Sequence, residues 1–200
     1  MDGTLMDSIP WFRSVVNSVA DKHHFKRIED HEVGELRGKN SREILAHLRV
    51  PIWKLPAIAR DLRKLKSESL HEISLFPGVP AMLQSLVDGG IRLAIVSSDS
   101  EANVRAALGG EARIISHFAC GASLFGKARK FRQTVRRMAA APAEVIAIGD
   151  EVRDAEAASS AGISFGAVNW GYATPETLAR LAPALMFDTV EDIVAKTVGA

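Results

Sequence analysis

Val145-Ile146-Ala147-Ile148-Gly149-Asp150-Glu151-Val152-Arg153-Asp154 is the stretch that decides the fold. Its four apolar residues, rich in β-branched side chains, read as a short buried strand. Glycine ends the run, and acidic residues lead into a helix over 154–161. Gly162 stands where that helix should stop, and 163–168 is a second apolar run. Strand, helix and strand this closely spaced make a βαβ unit, with parallel strands buried under helices on both faces.

The same rhythm extends from Phe76 onward. Apolar runs at 91–96, 114–119 and 185–187 alternate with helical patterns at 79–88, 101–108, 127–140 and 175–181. Residues 8 to about 75 read differently, because every strong pattern there is helical. Ser8-Ile9-Pro10 looks like a helix start with serine as cap, followed by Trp11, Val15, Val16 and Val19 at helical spacing. Asn40 and Glu43 form a capping-box pattern ahead of Ile44, Leu45 and Leu48. After Pro51, a charged helix over about 54–69 places Leu55, Ile58, Leu62 and Leu65 on one face. The expectation is a doubly wound parallel-sheet, Rossmann-like α/β core from residues 1–7 and 76–200, interrupted by a helical insertion over 8–75.

Composition excludes several classes. Hydrophobic residues make up 47% and charged ones 24%, so the chain is not disordered. With 25 Lys+Arg against 24 Asp+Glu it is no polybasic binder. The basic stretch Lys127, Arg129, Lys130, Arg132, Arg136 and Arg137 lacks interleaved aromatics and reads as a solvated helix face, not a nucleic-acid site. No run approaches the ~18 apolar residues of a membrane span, and the opening residues lack a signal-peptide pattern. Cys120, the one cysteine, cannot form an internal disulfide and reads as a core residue; the histidines are not zinc-spaced with it. Trp11 and Trp53 read as packing residues of the insertion. A cytoplasmic monomer or homodimer acting on a small molecule is expected.

In open α/β sheets, ligands bind beyond the carboxyl ends of the strands. Ser97-Ser98-Asp99 follows the run at 91–96, and Gly149-Asp150-Glu151-Val152-Arg153-Asp154 follows 145–148. Gly126-Lys127 precedes the helix at 127–140, and Asp2-Gly3-Thr4 opens the chain. Carboxylates, hydroxyls and a lysine at one sheet edge suit Mg²⁺ and phosphate. Mg²⁺ takes hard oxygens, while hydroxyls, N–H groups and lysine hold phosphate.

Asp2-Gly3-Thr4-Leu5, Ser97, Lys127 and Gly149-Asp150-x-x-x-Asp154 resemble, in order, the four motifs of the haloacid dehalogenase superfamily phosphatases. The segments 148–154, 161–163 and Val168-Asn169-Trp170-Gly171-Tyr172 are similar to the phosphoglycolate phosphatase-like members, which carry a helical cap after the first motif. The resemblance implies a Mg²⁺-dependent phosphatase of small phosphorylated metabolites, working through an aspartyl phosphate. It implies that Asp2 is the general acid and base and a metal ligand with Asp150 and Asp154. Ser97 and Lys127 would hold and neutralise the phosphoryl group, with Gly3 and Thr4 in the turn that orients it. Ser98 is counted beside Ser97, although with Asp99 it also reads as a loop or capping residue. In the cap, Arg37 and Lys39 flank a glycine in a loop suited to a carboxylate-bearing substrate.

One departure stands out. The family's nucleophile is an aspartate two positions before Asp2, and Met1 stands only one before it. The strand expected ahead of that motif is also absent from these residues. The sequence therefore predicts an active parent chain carrying both, and little activity from residues 1–200 alone. The alternatives are a phosphate-binding relative without turnover and a phosphonate-cleaving enzyme using a cap lysine, for which Lys39 is the candidate.

Overall fold

The computed structural model describes residues 1–123 and 126–198. Its helical segment comes first: α1 (Ile9–His23), α2 (Val33–Leu36), α3 (Ser41–His47) and α4 (Leu55–Glu68). Pro10 sits in the first turn of α1, where no N–H is needed. Ser8 does not cap that helix as expected; its hydroxyl lies 3.2 Å from the Tyr172 hydroxyl instead. Asn40 behaves as its pattern predicts. Its side-chain oxygen accepts from the Arg42 and Glu43 amides, and Glu43 accepts from the Asn40 amide at 2.8 Å. Val16, Val19, Ala20, Leu36, Leu48 and Ile58 are buried within the segment. Trp53 is not, at 76% exposed, with the Lys54 ammonium over its ring.

The segment leaves and returns at one place. Met6 bridges Leu75 in antiparallel fashion, the Phe76 amide donates to the Leu5 carbonyl at 2.9 Å, and the Asp7 amide to the Ser74 carbonyl at 3.0 Å.

Within the segment, Glu32 accepts from Lys26 and lies 2.9 Å from the His47 imidazole. The Lys26 bond chiefly holds its carboxyl down at about 2, below the ordinary 4.5. A depressed acid stabilises the fold above its unfolded pKa and loses that contribution as pH falls through the folded one. Glu32→Gln is therefore expected to lower Tm at pH 7, with the gap to wild type closing between pH 4.5 and about 2. Thermal melts across that range check it.

The remaining elements alternate: α5 (Val79–Asp88), β1 (Leu93–Val96), α6 (Glu101–Leu108), β2 (Ile115–Ala119), α7 (Lys127–Arg137), β3 (Ile146–Gly149), α8 (Val152–Ala161), β4 (Ser164–Val168), α9 (Pro175–Ala179), β5 (Leu185–Phe187) and α10 (Val190–Thr197). All strand pairings are parallel, as the alternation dictates. Among the described residues the strands fall into two sheets: β1 pairs with β2, while β4 lies between β3 and β5. One apolar cluster still spans both pieces. Ile95 and Ile115 from the first, Val168 and Phe187 from the second, and Leu5 from the chain start share it, with Met1 and Ile148 packed against it. Cys120, half-buried, packs on the same cluster, and burial pushes its thiol up to about 11, so it is an inert packing residue. The strand ends, and hence the loops after β1 and β3, therefore converge on the first residues of the chain.

Candidate active site

Asp150 follows the last residue of β3 and is 1% exposed. The Thr4 hydroxyl donates to its Oδ1 at 2.6 Å, and the Tyr172 amide to its Oδ2 at 2.9 Å. These bonds tie the chain start to the loop after β3 and to the loop after β4. The contact is close: a Cβ on Gly171 would stand 2.1 Å from the Asp150 Cβ, and one on Gly3 2.1 Å from Asp150 Oδ2. Gly3 also has φ +67°, in the left-handed region. Burial first, then the neighbouring carboxylates of Glu151 and Asp154, push the Asp150 carboxyl up to about 7.

Asp154, on the first turn of α8, pairs with Lys127 at the start of α7. Burial opposes ionisation there, but Lys127 and Arg153 hold the carboxyl below its usual range. Asp2 is held low in the same way: burial opposes, and Lys66 prevails. The Asp154 Oδ2 also accepts from the Asp150 amide at 3.3 Å, so Lys127, Asp154 and Asp150 form one run of contacts that reaches Thr4, two residues after Asp2. Ser97 is the first residue after β1, and its hydroxyl accepts from the Asp99 amide at 3.0 Å.

The remaining candidates have other partners. The Gly3 amide donates to the Met6 carbonyl at 2.9 Å, and Thr4 serves Asp150, so both shape the turn around that carboxylate. The Ser98 carbonyl accepts from Arg63 at 2.9 Å. Arg37 donates to the backbone carbonyls of Tyr172 (2.9 Å) and Gly171 (3.1 Å), acting as a strut between the helical segment and the core. Lys39 pairs with Glu35 at 2.9 Å. A cleft of about 450 Å³ instead opens between the start of α3 and the α7–α8 pair, with Arg42, Lys127 and Arg153 among its lining residues. Trp170 reaches the chain start through its indole N–H, which donates to the Thr4 carbonyl at 3.1 Å.

Sequence reasoning missed Lys66. It is 4% exposed and lies on α4 between Asp2 and Asp99, 2.7 Å from the latter's Oδ2. The signal was present: 58, 62 and 66 fall on one helix face, so Lys66 continues the buried side of Ile58 and Leu62. Lysine is rarely buried unless paired.

The donor set is hard oxygen throughout. Crowding of Asp150 by Glu151 and Asp154 is the condition a small dication relieves, so the residues fit Mg²⁺. Among the described residues no three acidic, histidine or cysteine side chains form a ready-made cage. Mg²⁺ ordinarily uses one or two carboxylates plus substrate oxygens and water.

Residues 1–168 match the family described as haloacid dehalogenase-like hydrolase. The phosphoglycolate phosphatase of Synechococcus elongatus is 31% identical over 195 residues, covering 96% of this chain and 92% of that protein. That of Xanthomonas campestris is 28% identical over 189 residues, covering 86% and 81%. A haloacid dehalogenase-like hydrolase structure from Streptococcus pneumoniae superposes with a TM-score of 0.78 at 19% identity, covering 98% of this chain and 94% of that one. CbbY of Rhodobacter sphaeroides, solved with phosphate, gives 0.72 at 22% identity, covering 96% and 93%.

Proposed function

This chain belongs to the haloacid dehalogenase-like hydrolase family, and we propose that it is a Mg²⁺-dependent phosphatase of a small, carboxylate-bearing phosphomonoester of the phosphoglycolate type. The observation that carries this reading is the run of contacts from Lys127 through Asp154 and Asp150 to Thr4, two residues after Asp2. The curated phosphoglycolate phosphatases, similar over most of both chains, support it.

In this proposal, the Ser97 hydroxyl and the Lys127 ammonium hold the phosphoryl oxygens, and residues 8–75 act as a cap excluding water. The substrate's other end lies in the cleft beside Arg42. Asp150, with Asp154 and Asp2, would hold Mg²⁺, which when bound supplies charge neutralisation for the transferring phosphoryl group. Asp2 gives a proton to the leaving ester oxygen and later takes one from the hydrolytic water. The attacking group in the family pattern is an aspartate two positions before Asp2, a position these residues do not include. The phosphonate reading loses its amine: Lys39 is paired with Glu35, and Lys66 stays charged between two carboxylates.

The experiment is a phosphate-release assay on 2-phosphoglycolate with a chain that carries the upstream aspartate. Release that EDTA lowers by roughly 100-fold or more is expected. Binding of inorganic phosphate without Mg²⁺-dependent release from any small phosphomonoester would overturn the reading in favour of a binding protein.

A further inference from the structure

We propose that Lys66 is a positioning residue for this reaction: by binding Asp2 and Asp99 at once, it sets the acid/base carboxylate and the Ser97 loop only while the helical segment is docked. This rests on the phosphatase reading above.

The geometry is specific to Lys66. Its ammonium pairs with Asp2 of the chain start and with Asp99 of the loop after β1, all three being largely or wholly buried. Asp99 in turn accepts from the Ser100 amide (2.7 Å) and the Asn103 side chain (2.9 Å), while its own amide donates to the Ser97 hydroxyl (3.0 Å). A continuous path therefore runs from Asp2 through Lys66 and Asp99 to the phosphate-side serine. Docking alone does not require it. Arg63 already binds the Ser98 carbonyl at 2.9 Å, Asn103 binds the Arg63 carbonyl at 3.1 Å, and Arg37 ties α2's end to the Gly171 and Tyr172 carbonyls. Lys66 adds to these a hold on the reacting carboxylate. A compact ammonium with three donors can serve two carboxylates at once; arginine's planar fork fits them less well.

The step most exposed to this placement is hydrolysis of the aspartyl phosphate. Water oxygen bonds to phosphorus, the phosphorus–aspartyl oxygen bond breaks to free the carboxylate, and the water proton passes to Asp2. If Asp2 drifts, this step slows while transfer from an activated ester persists.

Lys66→Met, Lys66→Arg and wild type, each in a chain that carries the upstream aspartate, are compared on p-nitrophenyl phosphate with Mg²⁺. Lys66→Met is expected to show a nitrophenol burst approaching one per site, with kcat lowered roughly 100-fold and KM lowered with it. Lys66→Arg should recover part of kcat. Unchanged kinetics, or a loss of kcat without a burst, would overturn the proposal. Amide exchange over residues 1–200 supplies a readout independent of turnover. Lys66→Met should speed exchange roughly tenfold at both 2–6 and 97–103, leaving α5 and α10 unchanged. Uniform acceleration, or none, counts against it. Should Lys66→Met not fold, Asp99→Asn keeps the shape and should loosen 97–103 while 2–6 stays protected. Equal loosening of both would remove Lys66 as their separate anchor. If wild type releases no phosphate, the phosphatase reading fails, and paired loosening of the two loops still supports the joint anchor.

Discussion

Asp150→Asn is expected to give a protein that is more stable than wild type at pH 8 without metal and at least roughly 10³-fold slower in kcat with Mg²⁺. The two effects share one cause. Asp150 is buried, and its folded carboxyl titrates at about 7 against an ordinary 3.8. An acid raised on folding costs stability as pH climbs through that window, here worth about 4 kcal/mol if fully expressed. The amide fits the same space. Its oxygen accepts from the Tyr172 amide, and its NH₂ donates to the Thr4 hydroxyl, which rotates to accept. What is lost is the anionic oxygen proposed to hold Mg²⁺, and several kcal/mol of phosphoryl-charge stabilisation correspond to three decades in rate. Thermal melts in EDTA from pH 4 to 8, beside steady-state kinetics with Mg²⁺, check both halves. Parallel loss of stability and activity would assign Asp150 a structural role.

Gly171→Ala should damage the protein in the opposite manner, with stability and activity falling together. Its new Cβ would lie 2.1 Å from the Asp150 Cβ, an atom that cannot swing aside without moving the backbone after β3. Overpacking of this kind costs about 1–3 kcal/mol, or roughly 3–10 °C in Tm for a chain of this size. Displacing Asp150 away from Thr4 and Asp154 should also cut kcat roughly 100-fold, since ångström-scale misplacement is enough. Gly34→Ala is the matched control, because a Cβ there meets nothing within 4 Å. Its melting and kinetics should match wild type, which separates local crowding at Gly171 from a general intolerance of alanine.

Much of this arrangement was written in local patterns. The helices expected over 79–88 and 101–108 have those bounds, with Gly89 and Gly109 as their C-caps. The turn after β3 carries its acids where the βαβ reading places them. Other features needed the tertiary structure. α7 stops at Arg137 rather than 140, with Ala139 in the left-handed region at φ 48°; no glycine stands over 138–141 to mark that end. Ser8 had the right residue type for a cap, yet a distant tyrosine took its hydroxyl. The pull on Arg37 comes from two carbonyls 134 and 135 positions away, which no local window contains. Lys66 was hidden by its own type: helical spacing placed it inside, while its charge suggested solvent. Pattern reading finds residues whose partners are near in sequence, and it fails for charges whose partners the fold supplies.

The pairing of Met6 with Leu75 also bears on how this fold tolerates change. With both ends of the insertion fastened side by side, the core experiences everything between them as one closed loop. Closure entropy grows only with the logarithm of loop length, by about 0.6 kcal/mol per doubling. Stretches of the insertion that do not touch the core can therefore be lengthened at little cost to the sheet pieces behind. Edits that keep Arg37, Arg63 and Lys66, the residues that tie the insertion to the core, leave the side chains at the strand ends where they are.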